Sequence, residues 1–376
     1  MCREVATGIG VNRIATTKRL QRDLTPSYDP SQPERLVRMT LRKQPENCKH
    51  RTYKMTVSQI QFSTVREAQK RLKEYLPTTR LVAAPSLSRL SGANVFLKLE
   101  TELPTGSFKP RGALCALSAN LARREISEVV ACSTGNHGAA VAYAGKIMGV
   151  PARIFLPAKA NPVKRAKIAE LGAEIVVAGS TDPAEAFQGA SQYAMTQGAY
   201  FLNDATDPDL LAGPGTIACE IFEQQPAADV IYVPMGDTAL IRGVATAAKH
   251  ISPKVRIIGV QAERAPSYYL SWKQGRAVST ETCDTIADGL ATRTPDSENV
   301  QEIRRLVDDV RLVSEEQMLA AIRHLLFEEH IVAEPAGAAT TAALMQSVEK
   351  GKNVVALVTG SNIAPEVLRR AVCARD

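Results

Sequence analysis

The feature that most constrains this chain is an alternation. From about residue 64 onward, short apolar runs rich in β-branched residues are separated by stretches with helical spacing. Residues 94–99 (NVFLKL), 128–132 (EVVAC), 152–156 (ARIFL), 174–177 (EIVV), 229–233 (DVIYV), 255–260 (VRIIGV) and 353–358 (NVVALV) read as strands. Residues 65–75, 113–124, 138–148, 162–171, 182–197 and 238–250 read as helices. Strands that are apolar throughout need cover on both faces, and helical crossovers supply it while returning the chain to a parallel neighbour. The pattern therefore predicts an α/β fold of open, twisted, mostly parallel sheets with helices on both faces. Ligands of such sheets bind in the loops beyond the carboxyl ends of the strands.

Composition narrows the partners. A formal net charge of +7 invites a polyanion. The excess is local: residues 1–54 hold twelve Lys/Arg against five Asp/Glu, whereas residues 55–376 hold 34 of each. The body is neutral, so no nucleic-acid partner is expected. Residues 1–54 are polar and aperiodic and read as a basic, disordered extension. Nothing approaches the roughly 18 apolar residues of a membrane helix, so no membrane partner is expected either. Seven scattered cysteines without a C-x-x-C pair point to reduced thiols in a cytoplasmic protein, with no zinc site.

Four loops that follow strands are chemically unusual. Residues 104–113 (PTGSFKPRGA) place Lys109 at the entrance to a helix. An amine beside a helix N-terminus and other cations is expected to have a lowered pKa, which favours the neutral nucleophile. Residues 133–138 (STGNHG) join a strand to a helix of small residues and offer an anion site built from backbone N–H groups and the side chains of Ser133, Thr134, Asn136 and His137. Residues 234–243 (PMGDTALIRG) occupy the position of a phosphate cradle, yet Asp237 puts a negative charge there. Residues 358–362 (VTGSN) offer hydroxyls at a strand end. Each loop alone is also compatible with an ordinary turn, cap or structural histidine.

Together the loops resemble the fold-type II pyridoxal-phosphate enzymes, the tryptophan synthase β family, and within it the serine/threonine dehydratases. The pattern T-G-S-F-K-x-R-G-A is similar to residues 105–113, S-x-G-N-H to residues 133–137, T-I-A-D-G to residues 285–289, and E-P-A-G-A to residues 334–338. The resemblance spans about residues 64–365. It implies a large pyridoxal-phosphate-binding domain from 55–130 plus 209–376 and a small domain from 131–208.

The resemblance also implies roles. Lys109 would carry the cofactor as a Schiff base and act as the general base, with Phe108 beside it. Asn136 would bond the ring 3-hydroxyl. Gly236, Asp237, Thr238, Ala239 and Leu240 would hold the phosphate, Thr359 would lie at the pyridine nitrogen, and Glu334 near the ring. Ser133, Thr134, Gly135 and His137 would cradle the substrate carboxylate. The implied activity is β-elimination of water from threonine or serine to a 2-oxo acid and ammonia, by a homodimer. The alternatives are a dehydratase of another β-hydroxy amino acid, such as 3-hydroxyaspartate or phenylserine, an amino-acid racemase of the same fold, β-replacement chemistry, and a non-enzymatic ligand-binding protein.

Two departures set expectations of their own. The family's phosphate loop is glycine-rich, and Asp237 near a phosphate dianion would be strongly repulsive at low dielectric. Asp237 is therefore expected to turn aside as a helix cap toward Arg242. The metal-ligating pattern of some relatives is broken, with Glu263 retained and Tyr269 in place of an Asp, so no metal is expected.

Overall fold

In this computed structural model, residues 60–133, 135–158, 162–179 and 183–373 are described. The expected extension 1–54 and the expected carboxylate ligand Thr134 lie outside them.

The apolar runs pair into two sheets. The strands are β1 (Leu81–Ala83), β2 (Asn94–Leu99), β3 (Val129–Cys132), β4 (Ala152–Leu156), β5 (Glu174–Val177), β6 (Tyr200–Phe201), β7 (Val230–Pro234), β8 (Arg256–Ala262), β9 (Asp309–Val313) and β10 (Asn353–Val358). The larger sheet runs β1-β2-β10-β7-β8-β9 and the smaller β5-β4-β3-β6. Among the described strands only β1 is antiparallel to its neighbour; it pairs Val82 with Leu97 at the edge of the larger sheet. The rest is parallel, as the expected α/β class requires.

The helices are α1 (Phe62–Leu72), α2 (Pro85–Ser91), α3 (Lys109–Leu121), α4 (Asn136–Met148), α5 (Pro162–Glu170), α6 (Pro183–Gln197), α7 (Ala212–Gln224), α8 (Ala239–Ile251), α9 (Ser267–Gln274), α10 (Ser297–Leu306), α11 (Glu315–Phe327), α12 (Pro335–Met345) and α13 (Pro365–Cys373). The period of two along each strand explains why helices cover both faces. On β10, Val354, Ala356 and Val358 face a core shared with α11 and α12, while Val355 and Leu357 face another shared with α7 and α8. On the smaller sheet, Val129 and Ala131 pack with α3 and α4, and Val130 packs with Ala190 and Ala194 of α6. Among the described residues, no helix is long and apolar enough to cross a membrane.

Several boundaries shift from the sequence reading, each with a cause. Helix α3 begins at Lys109 and not at 113, because Pro110 sits in its first turn, where a missing N–H costs no hydrogen bond. Helix α4 begins at Asn136, and Gly138 follows because a Cβ there would lie 2.6 Å from Ser133 O. Helix α7 was not anticipated: Gly213, Pro214 and Gly215 read as breakers. Packing overrides that propensity, because the small residues let α7 cross close to α8. A Cβ on Gly243 would lie 2.5 Å from Leu211 O and 2.9 Å from Gly215 N.

Candidate active site

Four helices aim their N-termini at one cavity of about 230 Å³. Lys109 opens α3, Asn136 opens α4, Leu240 lies in the first turn of α8, and Ala336 in that of α12; all four residues line the cavity. Each N-terminus presents N–H groups without intrahelical acceptors and the positive end of a helix dipole. The convergence makes an anion site before any side chain is considered.

Local pairing places Lys109. Its loop is stitched to the end of β10 by Phe108 N–H donating to Thr359 O at 3.0 Å and Ser361 N–H donating to Gly106 O at 2.9 Å. Gly106 has φ +69°, a left-handed conformation that favours glycine at this turn. Glu334 N–H donates to Gly360 O at 2.9 Å, which brings the start of α12 to the same corner. Gly360 leaves the needed gap, since a Cβ there would lie 2.2 Å from Glu334 Oε1. Opposite, Gly236 backs onto Gly289 of the 285–289 segment, where a Cβ would meet Gly289 O at 2.2 Å.

The cavity brings together Phe108, Lys109, Ser133, Gly135, Asn136, His137, Gly236, Asp237, Leu240, Glu334 and Thr359. Thr238 and Ala239 do not line it; they form the turn behind its wall, with Thr238 left-handed at φ 76°. Asn136 Nδ2 donates to Glu334 Oε1 at 2.6 Å. The Ser133 hydroxyl accepts from Gly135 N–H at 3.2 Å. His137 is buried and its Nε2 lies 3.0 Å from Leu202 O, an acceptor only, so Nε2 carries the proton. That leaves Nδ1 3.7 Å from Asp204 Oδ2.

Two expectations are corrected here. Lys109 is not a low-pKa amine. Burial pushes it down, but the carboxylates of Asp204 and Asp237, 2.7 and 3.1 Å from Nζ, outweigh burial and raise it. Asp237 does not turn toward Arg242. Its Oδ1 accepts from Ala239 N–H at 2.9 Å, a capping contact, while Oδ2 binds Lys109. Arg242 is held instead by Glu302 at 2.9 Å and donates to Ala205 O at 2.9 Å.

Asp204 was missed. It follows β6, a strand of two residues that is too short to show periodicity. Together with Asp237 it forms a carboxyl pair around one ammonium, and the pair splits as like charges do. In Asp204, burial is outweighed by His137 and Lys109, and the pKa falls; in Asp237, burial and the Asp204 charge prevail over Lys109, and it rises. Asp288, Gly289, Ala291 and Thr292 also line the cavity. Asp288 and Gly289 belong to the 285–289 pattern, which was noticed but given no role.

Comparison with known proteins follows the geometry. The family model of pyridoxal-phosphate dependent enzymes matches residues 72–360. The L-threonine ammonia-lyase of Thermotoga maritima is 38% identical over 315 residues, covering 83% of this chain and 78% of that protein. The structure of maize serine racemase superposes with a TM-score of 0.79 at 29% identity, covering 84% of this chain and 97% of that one. The processed form of threonine deaminase isoform 2 from Solanum lycopersicum gives a TM-score of 0.78 at 29% identity, covering 82% and 92%.

Proposed function

The chain belongs to the fold-type II pyridoxal-phosphate-dependent enzymes, and from that premise we propose that it is a threonine/serine ammonia-lyase. It converts a β-hydroxy amino acid to a 2-oxo acid and ammonia: water is eliminated first, and one water is taken up again when the released enamine tautomerises and hydrolyses. The observation that carries the reading is Lys109 Nζ in a cavity faced by four helix N-termini. The relatives named for threonine support the substrate.

The residues present fit the cofactor. A lysine amine, the Asn136 amide, the Glu334 carboxyl and the Thr359 hydroxyl face one cavity. The N–H groups of Thr238 and Leu240 flank that of Ala239 and have no intrahelical acceptor, which suits a phosphate. Both Asp237 oxygens are engaged within the protein, by Ala239 N–H and Lys109. We assign Lys109 as the covalent anchor, Asn136 to the ring hydroxyl, Glu334 near the ring, Thr359 to the ring nitrogen, Phe108 beside the anchor, and residues 236–240 to the phosphate.

When bound, the cofactor supplies the electron sink that acidifies the substrate Cα–H. The protein does the rest. The N-terminus of α4, with Ser133, Gly135 and His137, binds the substrate carboxylate and fixes the Cα–H relative to Lys109 Nζ. Lys109, freed as an amine, takes that proton at Nζ, and the ammonium so formed can return a proton to the β-hydroxyl oxygen, which leaves as water. His137 Nε2 is tied to Leu202 O, so the imidazole orients the loop, and the backbone N–H of His137 in the first turn of α4 is the group that meets the carboxylate. A homodimer in the cytoplasm, and division of the body into large and small domains built on the two sheets, are proposed on the family resemblance.

Two measurements test this reading. Lys109→Ala should lose both the visible absorbance of bound cofactor and all turnover; keeping either refutes the assignment of the anchor. A panel of β-hydroxy amino acids, assayed for 2-oxo acid and for product chirality, should give 2-oxo acid from L-threonine and L-serine. Maize serine racemase motivates the second reading. Inverted serine without 2-oxo acid would establish that reading, and no product from any substrate would overturn both.

A further inference from the structure

Lys167 lies on α5, beside the smaller sheet, and has no assigned role. Its Nζ donates to Thr105 O at 2.8 Å and to Asn362 Oδ1 at 2.6 Å. Both acceptors sit in loops of the larger sheet, one leading to Lys109 and the other following β10. Asn362 Nδ2 donates to Thr105 O at 2.9 Å and to Asn136 Oδ1 at 2.7 Å. Asn136 Nδ2 then donates to Glu334 Oε1 at 2.6 Å. The four side chains form one continuous line into the cavity, ending on two of its lining residues.

The line has a direction. An ammonium only donates, so it selects the carbonyl end of Asn362; the Thr105 carbonyl only accepts, so it selects the amide nitrogen. Asn362 therefore offers an N–H to Asn136, and Asn136 must answer with Oδ1. Its Nδ2 is left facing Glu334 and the cavity. Without the ammonium, Asn362 Oδ1 loses its charged partner, and the orientation of Asn136 rests on the Thr105 contact to Asn362 and on Glu334 Oε1. Lys167 also places a formal positive charge at the far end of the line, which polarises each bond toward the cavity. Burial lowers its pKa against the raising effect of Glu334 and Glu170, so the carboxylate at the other end of the line helps keep it charged.

We propose that Lys167 is a positioning residue that fixes the amide orientation of Asn136 through Asn362, so that Nδ2 meets the oxygen of the cofactor ring. This rests on the assignment of Asn136 to the ring hydroxyl given above. A flipped Asn136 would turn a carbonyl toward that oxygen and exchange a donor for a repulsive acceptor.

The test uses the full-length holoenzyme. Lys167→Met should weaken cofactor binding roughly tenfold, the scale of one charge-assisted hydrogen bond, and shift the visible band of the bound cofactor. Lys167→Arg should restore both, and Asn362→Leu should reproduce the loss. The double variant should fall no further than Asn362→Leu alone, because the two residues act in series. Wild-type affinity and band position in a folded Lys167→Met protein, whatever its melting temperature, would overturn the proposal and leave Lys167 as a tether. Should Lys167→Met not fold, a silent Asn362→Leu overturns it equally. Asn136→Ala separates the two levels: a change there with Lys167→Met silent defeats the relay alone, whereas a silent Asn136→Ala defeats the assignment of Asn136.

Discussion

At the scale of single residues, the unusual fact is that Lys109 sits between two carboxylates. Attachment of an aldehyde cofactor needs the neutral amine, yet Asp204 and Asp237 hold the ammonium. Because they raise the lysine pKa, the deprotonated fraction grows only as pH rises, and cofactor loading should be favoured on the alkaline side. Asp237→Asn removes one of the two charges without removing the acceptor for Ala239 N–H. The pH midpoint for cofactor binding, followed by absorbance, should move down by roughly one unit. Affinity at neutral pH should rise, since a negative charge near the phosphate is gone. An unchanged midpoint, or loss of cofactor, would show that Asp237 serves the site in some other way. Asp204→Asn should act in the same direction and more strongly, because Asp204 is closer to Nζ and is the partner held ionised. Asp237 was visible in the sequence as a charge where glycines are expected. Asp204 was not, because its place beside Lys109 depends on how β6 ends, and nothing local encodes that.

At the scale of elements, the sequence was most readable where a strand is apolar on both faces. All seven runs became strands within a residue or two; in six of them burial on both sides leaves its mark, while β5, at the edge of the smaller sheet, has no buried residue and is readable from its β-branched run alone. It was least readable where tertiary packing decides. Helix α7 contains Gly-Pro-Gly, and α12 is so uniformly buried that it has no polar face to reveal its period. The crossing of α7 on α8 shows what those glycines are for. Gly243→Ala places a methyl 2.5 Å from Leu211 O, which is backbone and cannot swing away. The helices must separate, at a cost of about 1–3 kcal/mol. Helix α8 carries residues 236–240 at its start, so the strain reaches the site. Urea unfolding should show the loss of stability, and cofactor dissociation should be faster. A variant as stable as the parent would mean that the two helices can slide without penalty.

At the scale of the whole molecule, the site is anchored by a buried charge cluster. Arg111, two residues beyond Lys109, bonds Glu100 at 2.7 and 2.9 Å and Glu220 at 2.6 and 2.9 Å. Lys98 completes it through Glu220 at 2.7 Å and Thr79 O at 2.8 Å. The cluster ties β2, α3 and α7 together, and its partners are as far as 122 residues apart, so no sequence pattern announces it. Two cations balance two carboxylates, and removing one member strands a charge. In Glu220, burial pushes the pKa up, but Arg111 and then Lys98 outweigh it and hold the carboxyl below its ordinary value. The sign follows from linkage. The contribution of Glu220 is complete above the unfolded carboxylate pKa and disappears as pH falls through the lower, folded one. Glu220→Gln keeps the shape, loses the charge, and should cost about 3–5 kcal/mol near neutral pH. It should also flatten the acid limb of the stability curve, because the group whose protonation drives that loss is gone. Urea midpoints measured for parent and variant at neutral pH and again below the ordinary carboxylate range test both parts: the two curves should converge on acidification. Parallel curves would place the acid sensitivity elsewhere and reduce the cluster to packing. Weaker cofactor binding by Glu220→Gln at a neutral pH where the parent retains it would tie the cluster to the position of Lys109, because α3 is the element that the cluster and the site share.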